Sequence, residues 1–280
     1  MRLTFLGVRG STSAPGPEFV RYGGNTSCIA VSEYADAAPT LLLDVGTGLR
    51  SLTGLLAGEP YRGSALVSHL HWDHVQGLPF TLAVDRDDAR LDIYVPAQDG
   101  RSGLDLLSQS MSPPAFPITP DQLHGTWSFT AVEPGSFEAD GFTVTAFEVS
   151  HKGGRTYGYR VDLDGASLAY IPDHSPAAGV SAEAAAVLEG VDALIHDAQF
   201  LEHERAIADL FGHATIDDAI ELAESVHAGM LVLFHHGPGR TDEALDRMRD
   251  DFRASMRLHW AAEGDVLDVA SARSVEGSRD

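Results

Sequence analysis

Ser68-His69-Leu70-His71-Trp72-Asp73-His74 places three histidines and an aspartate within six residues, directly after the aliphatic run Ala65-Leu66-Val67. The run predicts a buried strand over 65–68, so the cluster stands where a strand ends and the chain turns. Two-residue alternation at a strand end sends the His69 and His71 side chains to one side, and the following turn aims Asp73 and His74 at a neighbouring point. Two such points about 3.5–4 Å apart have the usual spacing of paired catalytic metals. Imidazole mixed with carboxylate suits Zn²⁺ first, and also Mn²⁺ or Fe.

Working outward, short aliphatic or β-branched runs bounded by Gly, Pro or polar residues predict strands at 3–8, 26–32, 41–45, 91–95, 128–132, 142–149, 156–161, 166–171, 193–196 and 230–234. Helices are expected at 48–56, 75–84, 182–188, 216–226 and 242–256. Strands dominate early and alternate with helices late, which fits an α/β chain of mixed sheets covered by helices, in four layers ordered α, β, β, α. A chain of 280 residues, 44% hydrophobic and 21% charged, buries a substantial core as one domain over 1–280, with a strand and tail expected at about 260–280. The Pro-rich stretch 111–120 reads as an ordered loop, either a surface crossing or an apolar wall over a site.

No run approaches the roughly 18 apolar residues of a membrane-spanning helix, and the start lacks a signal-peptide pattern, so a cytoplasmic protein with no membrane partner is expected. The single cysteine, Cys28, lies in an apolar run and reads as a small core residue. A formal charge of −22 opposes a long polyanion, whereas two divalent cations would leave a small anionic substrate acceptable. A homodimer is left open.

Other residues share the strand-end logic. His151 follows the strand 142–149 and precedes Gly153-Gly154. Asp173 ends an apolar strand, where an ionised carboxylate needs a partner to offset its desolvation. His235 and His236 are adjacent and point to opposite faces if the strand continues, so one of them is expected to bind directly.

The pattern H-x-H-x-D-H formed by His69, His71, Asp73 and His74 resembles the signature of the metallo-β-lactamase superfamily. The likeness extends to its branch of ribonuclease Z and related phosphodiesterases, including cyclic-nucleotide phosphodiesterases. It covers most of the chain: Leu43-Asp44-Val45-Gly46 precedes the cluster as in that branch, and His151, Asp173 and His235 match its remaining ligands. The resemblance implies a four-layer αββα sandwich with metals at the edge between the two sheets. His69, His71 and His151 would hold one ion, Asp73, His74 and His235 the other, with Asp173 bridging. Leu194-Ile195-His196-Asp197-Ala198 is similar to the branch's His-Glu-Ala strand end with Asp197 for Glu, so His196 or Asp197 is a candidate to orient a ligand. Gly212-His213-Ala214-Thr215 resembles its His-Ser-Thr motif, with Ala214 for Ser; Thr215 also suits a helix N-cap.

Short ribonuclease Z enzymes carry a long arm that grips transfer RNA. Only residues 161–169 stand at that place here, read as a hairpin around Asp164-Gly165. The resemblance therefore implies a metal-dependent hydrolase cutting a small or cyclic phosphodiester through a metal-bridging hydroxide. Asp73 would orient that hydroxide, and His213 would protonate the leaving alkoxide. The alternatives are a carbon ester, lactone or thioester hydrolase on the same metal pair, and a non-catalytic metal-binding regulatory module.

Overall fold

The computed structural model describes residues 1–270; the expected tail at 271–280 lies outside the described residues. The first sheet contains β1 (Arg2–Gly7), β2 (Cys28–Ser32), β3 (Leu41–Leu43), β4 (Arg62–Leu66), β5 (Arg90–Pro96) and β6 (Thr126–Val132). The second contains β7 (Gly135–Ala139), β8 (Phe142–Val149), β9 (Thr156–Leu163), β10 (Ala166–Ile171), β11 (Ala193–Asp197), β12 (Met230–Phe234) and β13 (Arg257–Trp260). A last strand, β14 (Val266–Asp268), returns to pair with β1, giving the orders β14-β1-β2-β3-β4-β5-β6 and β13-β12-β11-β10-β9-β8-β7.

Alternation along the strands builds the layers. Ile29 and Val31 of β2, Leu41 and Leu43 of β3, Ile195 of β11 and Val232 and Phe234 of β12 meet in one core between the sheets. Their neighbours Ala30 and Leu42 face outward, under α1 (Leu52–Leu55), α2 (Trp72–Val75) and α3 (Gly103–Leu107). Leu194, Leu231 and Leu233 face the other way, under α4 (Ala182–Leu188), α6 (Ile216–Ser225) and α7 (Asp242–Asp251), with α5 (Arg205–Phe211) between α4 and α6 in the chain. This is the expected αββα sandwich. Cys28 is fully buried. Among the described residues no helix is long and apolar enough to cross a membrane.

Several boundaries differ from expectation. The strand at 65–68 is β4, ending at Leu66, because the Ser68 N–H is drawn to the Asp44 carboxylate at 2.7 Å instead of a ladder partner. The expected helix at 75–84 does not form: α2 stops at Val75 and a single 3₁₀ turn follows at Leu78–Phe80. Gly77 packs so tightly that a Cβ there would lie 2.0 Å from the Gly46 carbonyl oxygen, and Pro79 has no N–H to continue a helix. The helix expected to reach 256 ends at Asp251, where Phe252 becomes extended and packs its ring 6.3 Å from that of Trp260. β7, α3, α5 and β13, none longer than seven residues, are too short for their periodicity to stand out from the flanking loops.

The parallel strands β3 to β6 and β10 to β13 run in register, so their carboxyl ends gather at one edge of the sandwich. Ligands of open α/β sheets sit at such ends.

Candidate metal centre

Five strand ends deliver the side chains: β4 leads to His69 and His71, β8 to His151, β10 to Asp173, β11 to Asp197 and β12 to His235. The one-turn helix α2 supplies Asp73 and His74. His69 and His71 lie past the strand in the loop and offer different nitrogens, so strand alternation is not what aligns them. His69 Nε2 is 2.9 Å from His71 Nδ1, which is 3.3 Å from His151 Nε2. Asp173 Oδ2 stands 3.5 Å from His69 Nε2 and 3.3 Å from His151 Nε2. On its other side, Asp173 Oδ1 is 3.3 Å from His74 Nε2 and 3.0 Å from His235 Nε2. Asp73 Oδ2 completes the second set, 3.3 Å from His74 Nε2 and 3.2 Å from His235 Nε2.

The two sets therefore share Asp173, one oxygen each. Metal–nitrogen bonds of about 2.0–2.1 Å arranged tetrahedrally have edges near 3.3 Å, which these separations match. His74 Nε2 and Asp173 Oδ1 are also buried with no hydrogen-bond partner, a costly arrangement that a cation relieves. The residues present thus fit two divalent ions.

Electrostatics of the first donor set agree with ligand chemistry; in the second, burial works against charge on His74, but Asp73, Asp44 and Asp173 outweigh it and raise the His74 pKa well above its ordinary value, so metal binding there would displace a proton. Burial, reinforced by neighbouring imidazoles, pushes His69 well below its ordinary pKa and lowers His71 and His151, so these rings present free lone pairs. Burial opposes ionisation of Asp73 and Asp173, but the adjacent histidines outweigh it and hold both carboxyls below the usual range.

Contacts behind the donors fix their direction. Asp44, fully buried at the end of β3 with φ of 57°, accepts from Ser68 N–H, Ser68 Oγ–H, the Tyr170 hydroxyl and His74 Nδ1, the last at 2.6 Å. His74 consequently turns Nε2 toward the second set. The His151 Nδ1–H donates to the Gly212 carbonyl at 2.6 Å. Asp73 Oδ2 accepts from the Ser11 N–H at 2.7 Å, and a Cβ on Gly10 would collide with the His235 ring at 2.4 Å. Asp44 is legible as an acid closing an apolar run, but its four donors come from Ser68 after β4, Tyr170 in β10 and His74 in α2; nothing local marks Gly10 or Ser11. We expect Asp44→Ala to weaken metal affinity by roughly 10–100-fold, as loss of an orienting partner does. Competition with a chromogenic chelator measures this.

His236, beside the donor His235, points the other way. It is buried, stacks on Trp260 and meets the Ala261 carbonyl through Nε2 at 2.9 Å, so it is neither a surface residue nor an orienting one. Burial, with the Arg9 charge nearby, holds its pKa down to about 3. The folded ring stays neutral below pH 6.5 while the unfolded chain takes up a proton, so stability is lost as pH falls from about 6.5 toward 3. At pH 5 this amounts to about 2 kcal/mol. In metal-free protein, His236→Gln should reduce the difference in unfolding free energy between pH 7.5 and 5.0 by about that amount, read from urea titrations.

His213 sits between the αL cap Gly212 of α5 and the N-cap Thr215 of α6. Its Nδ1 is 3.0 Å from Asp197 Oδ2, and Asp197 is fully buried, also accepting from the N–H groups of Ala214, His174 and Gln199. Of the pair considered for orienting a ligand, Asp197 therefore orients His213. It stands 3.9 Å from His235 Nδ1, whereas His196 faces away, bonded to His174. Burial works against charge on His213, but Asp197, with Asp173 and Asp73 beyond it, raises its pKa to about 9. Cations in the donor sets would take back the share owed to Asp173 and Asp73, leaving the Asp197 contact. His213, His71 and His151 line an open cleft of about 630 Å³. The loop 111–120 does not line it; Met111, Ala115, Phe116 and Pro120 border a separate hollow beside Trp72 and Phe80.

Two face-to-face sheets, helices on both outer faces and paired histidine–aspartate donor sets at the strand ends define the class of a metallo-β-lactamase-fold hydrolase. Residues 40–236 match the family model described as the beta-lactamase superfamily domain, and the chain belongs to that family. The ribonuclease Z of Natronomonas pharaonis is 26% identical over 326 aligned positions, covering 96% of this chain and 98% of that protein. Among solved structures, the metallo-β-lactamase fold protein YhfI from Bacillus subtilis matches with a TM-score of 0.72 at 21% identity, covering 95% of this chain and 99% of its own. Human tRNase Z, short form, matches with a TM-score of 0.64 at 22% identity over 96% and 100% of the two chains.

Proposed function

We propose that the protein is a binuclear phosphodiesterase acting on small phosphodiesters, with cyclic nucleotides as the leading case. The observation that carries this reading is the His213–Asp197 pair beside two donor sets joined by Asp173. His69, His71, His151 and Asp173 would hold one ion, and Asp73, His74, His235 and Asp173 the other. When bound, such a pair polarises a phosphoryl oxygen and brings the pKa of water toward neutrality.

The chain's own groups do the rest. Asp73, ionised and anchored by the Ser11 N–H, is placed to accept a hydrogen bond from the attacking water and orient it. His213 commits Nδ1 to Asp197, which leaves Nε2 for substrate. The Asp197 carboxylate, which stays beside the ring whether or not cations occupy the donor sets, favours a proton on His213 that can pass to the departing alkoxide.

Small substrates are favoured by the hairpin between β9 and β10. Leu163 pairs with Ala166 across the turn Asp164-Gly165, where a transfer-RNA-gripping arm would otherwise be inserted. The charge of −22 acts in the same direction. The test compares kcat/KM of metal-loaded protein for bis-p-nitrophenyl phosphate, cyclic AMP, cyclic GMP, a lactone and a transfer RNA with a 3′ trailer, at one salt concentration. Turnover of the small diesters well above trailer removal is expected. Trailer removal without small-diester activity overturns the substrate assignment, and lactone hydrolysis alone overturns the phosphodiesterase reading.

A further inference from the structure

The cleft has two unlike walls. One is apolar and belongs to α5, a helix that buries only Ala208 among its residues while exposing Ile207, Leu210 and Phe211 by 48%, 61% and 57%. These residues stand at i, i+3 and i+4, one face of the helix, and Ile207 and Phe211 line the cleft with Phe200. Apolar surface exposed this way on a single helix marks a contact site.

The wall is held rigidly. Arg205 bonds Glu202 and Asp218 at its start, the Lys152 ammonium bonds the Leu210 carbonyl at its end, and the Gly212 carbonyl that follows takes the His151 Nδ1–H. The Phe200 ring lies 5.9 Å from that of His213.

The rest of the lining is largely polar and includes Ser11, Gln199 and the Glu204–Arg240 ion pair. Ser11 carries its N–H to Asp73, and the Gln199 amide lies 3.2 Å from the Ser11 hydroxyl. The apolar group thus adjoins His213 through Phe200, and Ser11 adjoins Asp73.

We propose that the cleft selects phosphodiesters whose leaving alcohol is apolar, seated on Phe200, Ile207 and Phe211, while the arm retained on phosphorus is polar and lies along Ser11 and Gln199. This rests on the phosphodiesterase reading. The leaving oxygen must reach the proton of His213, so the arm that departs occupies the side on which His213 stands. In the reaction the water oxygen forms the new P–O bond. The P–O bond to the leaving alcohol breaks with its electron pair, His213 gives that oxygen a proton, and the surplus proton of the water restores His213 through solvent. The products are an apolar alcohol and a polar phosphomonoester.

Two substrate series test this on metal-loaded protein. In methyl 4-alkylphenyl phosphates the leaving phenol lengthens at nearly constant pKa; in alkyl p-nitrophenyl phosphates only the retained arm lengthens. We expect kcat/KM to rise about three- to fourfold per methylene buried in the first series and to stay level in the second. Phe211→Ala and Ile207→Asn should flatten the first slope, whatever their absolute rates; the parent series decides the matter if either variant fails to fold. Equal slopes, or a slope confined to the retained arm, overturn the inference. A level first series with a dimer that Leu210→Glu dissociates assigns the α5 face to a second copy of the chain instead. No turnover of bis-p-nitrophenyl phosphate defeats the phosphodiesterase reading and this inference with it, whereas its turnover with a level first series defeats the inference alone.

Discussion

Asp173→Ala is expected to empty both metal positions together and to lower turnover by more than about 10⁴-fold, beyond the 10²–10⁴ range of a lost general acid. The reason is geometric. Asp173 offers Oδ2 to the set of His69, His71 and His151 and Oδ1 to the set of Asp73, His74 and His235, so one truncation removes a ligand from each. It also removes the charge that lies between four imidazoles. His151→Ala provides the contrast, since it touches one set only and should leave close to one ion per chain. Elemental analysis after mild dialysis, expected near two ions per parent chain, reads both variants. A parent stoichiometry persistently near zero despite added Zn²⁺ or Mn²⁺ would refute the pairing, as would an Asp173→Ala protein that still holds two.

His213→Ala is expected to keep metals and fold while lowering turnover by roughly 10²–10⁴-fold. His213 has only slight exposure, and its ring stacks on His235 at 5.2 Å, but neither donor set needs it. The loss should be large for an alkyl leaving group and small for p-nitrophenolate, which departs without a proton. Asp197→Asn should reproduce part of the effect, because Asp197 both orients the ring and sustains its charge. Equal losses on good and poor leaving groups would remove the acid role from His213, and metal loss in the variant would recast it as a ligand.

Much of the architecture was legible from local pattern. Runs such as Leu41-Leu42-Leu43 and Met230-Leu231-Val232-Leu233-Phe234 read as strands buried on both faces, and each is one. Failures came where tertiary contacts outweigh local preference. The stretch at 75–84 is apolar, yet the close approach of Gly77 to Gly46 and the ring of Pro79 break it. α5 was missed because, at seven residues and with no side-chain cap at its start, the helical spacing of Ile207, Leu210 and Phe211 spans little more than one turn.

Features that depend on neighbours in the chain were legible locally: the donor cluster His69 to His74, the strand pattern, Thr215 as the N-cap that starts α6, and the two-residue turn that leaves no arm. What only the tertiary structure decided is direction. His235 takes a left-handed φ of 57° that turns its Nε2 to Asp173 and leaves His236 to the core, and Asp44 takes the same φ to collect donors from Ser68, Tyr170 and His74. Asp197 was one of two candidate orienters until the packing of β11 against the α5–α6 turn gave it to His213. Composition and periodicity set which face of an element is buried. Where a side chain at the end of that element points is set by backbone dihedrals and by partners from 16 to 162 residues away in the chain, and the chemistry of this centre resides in those ends.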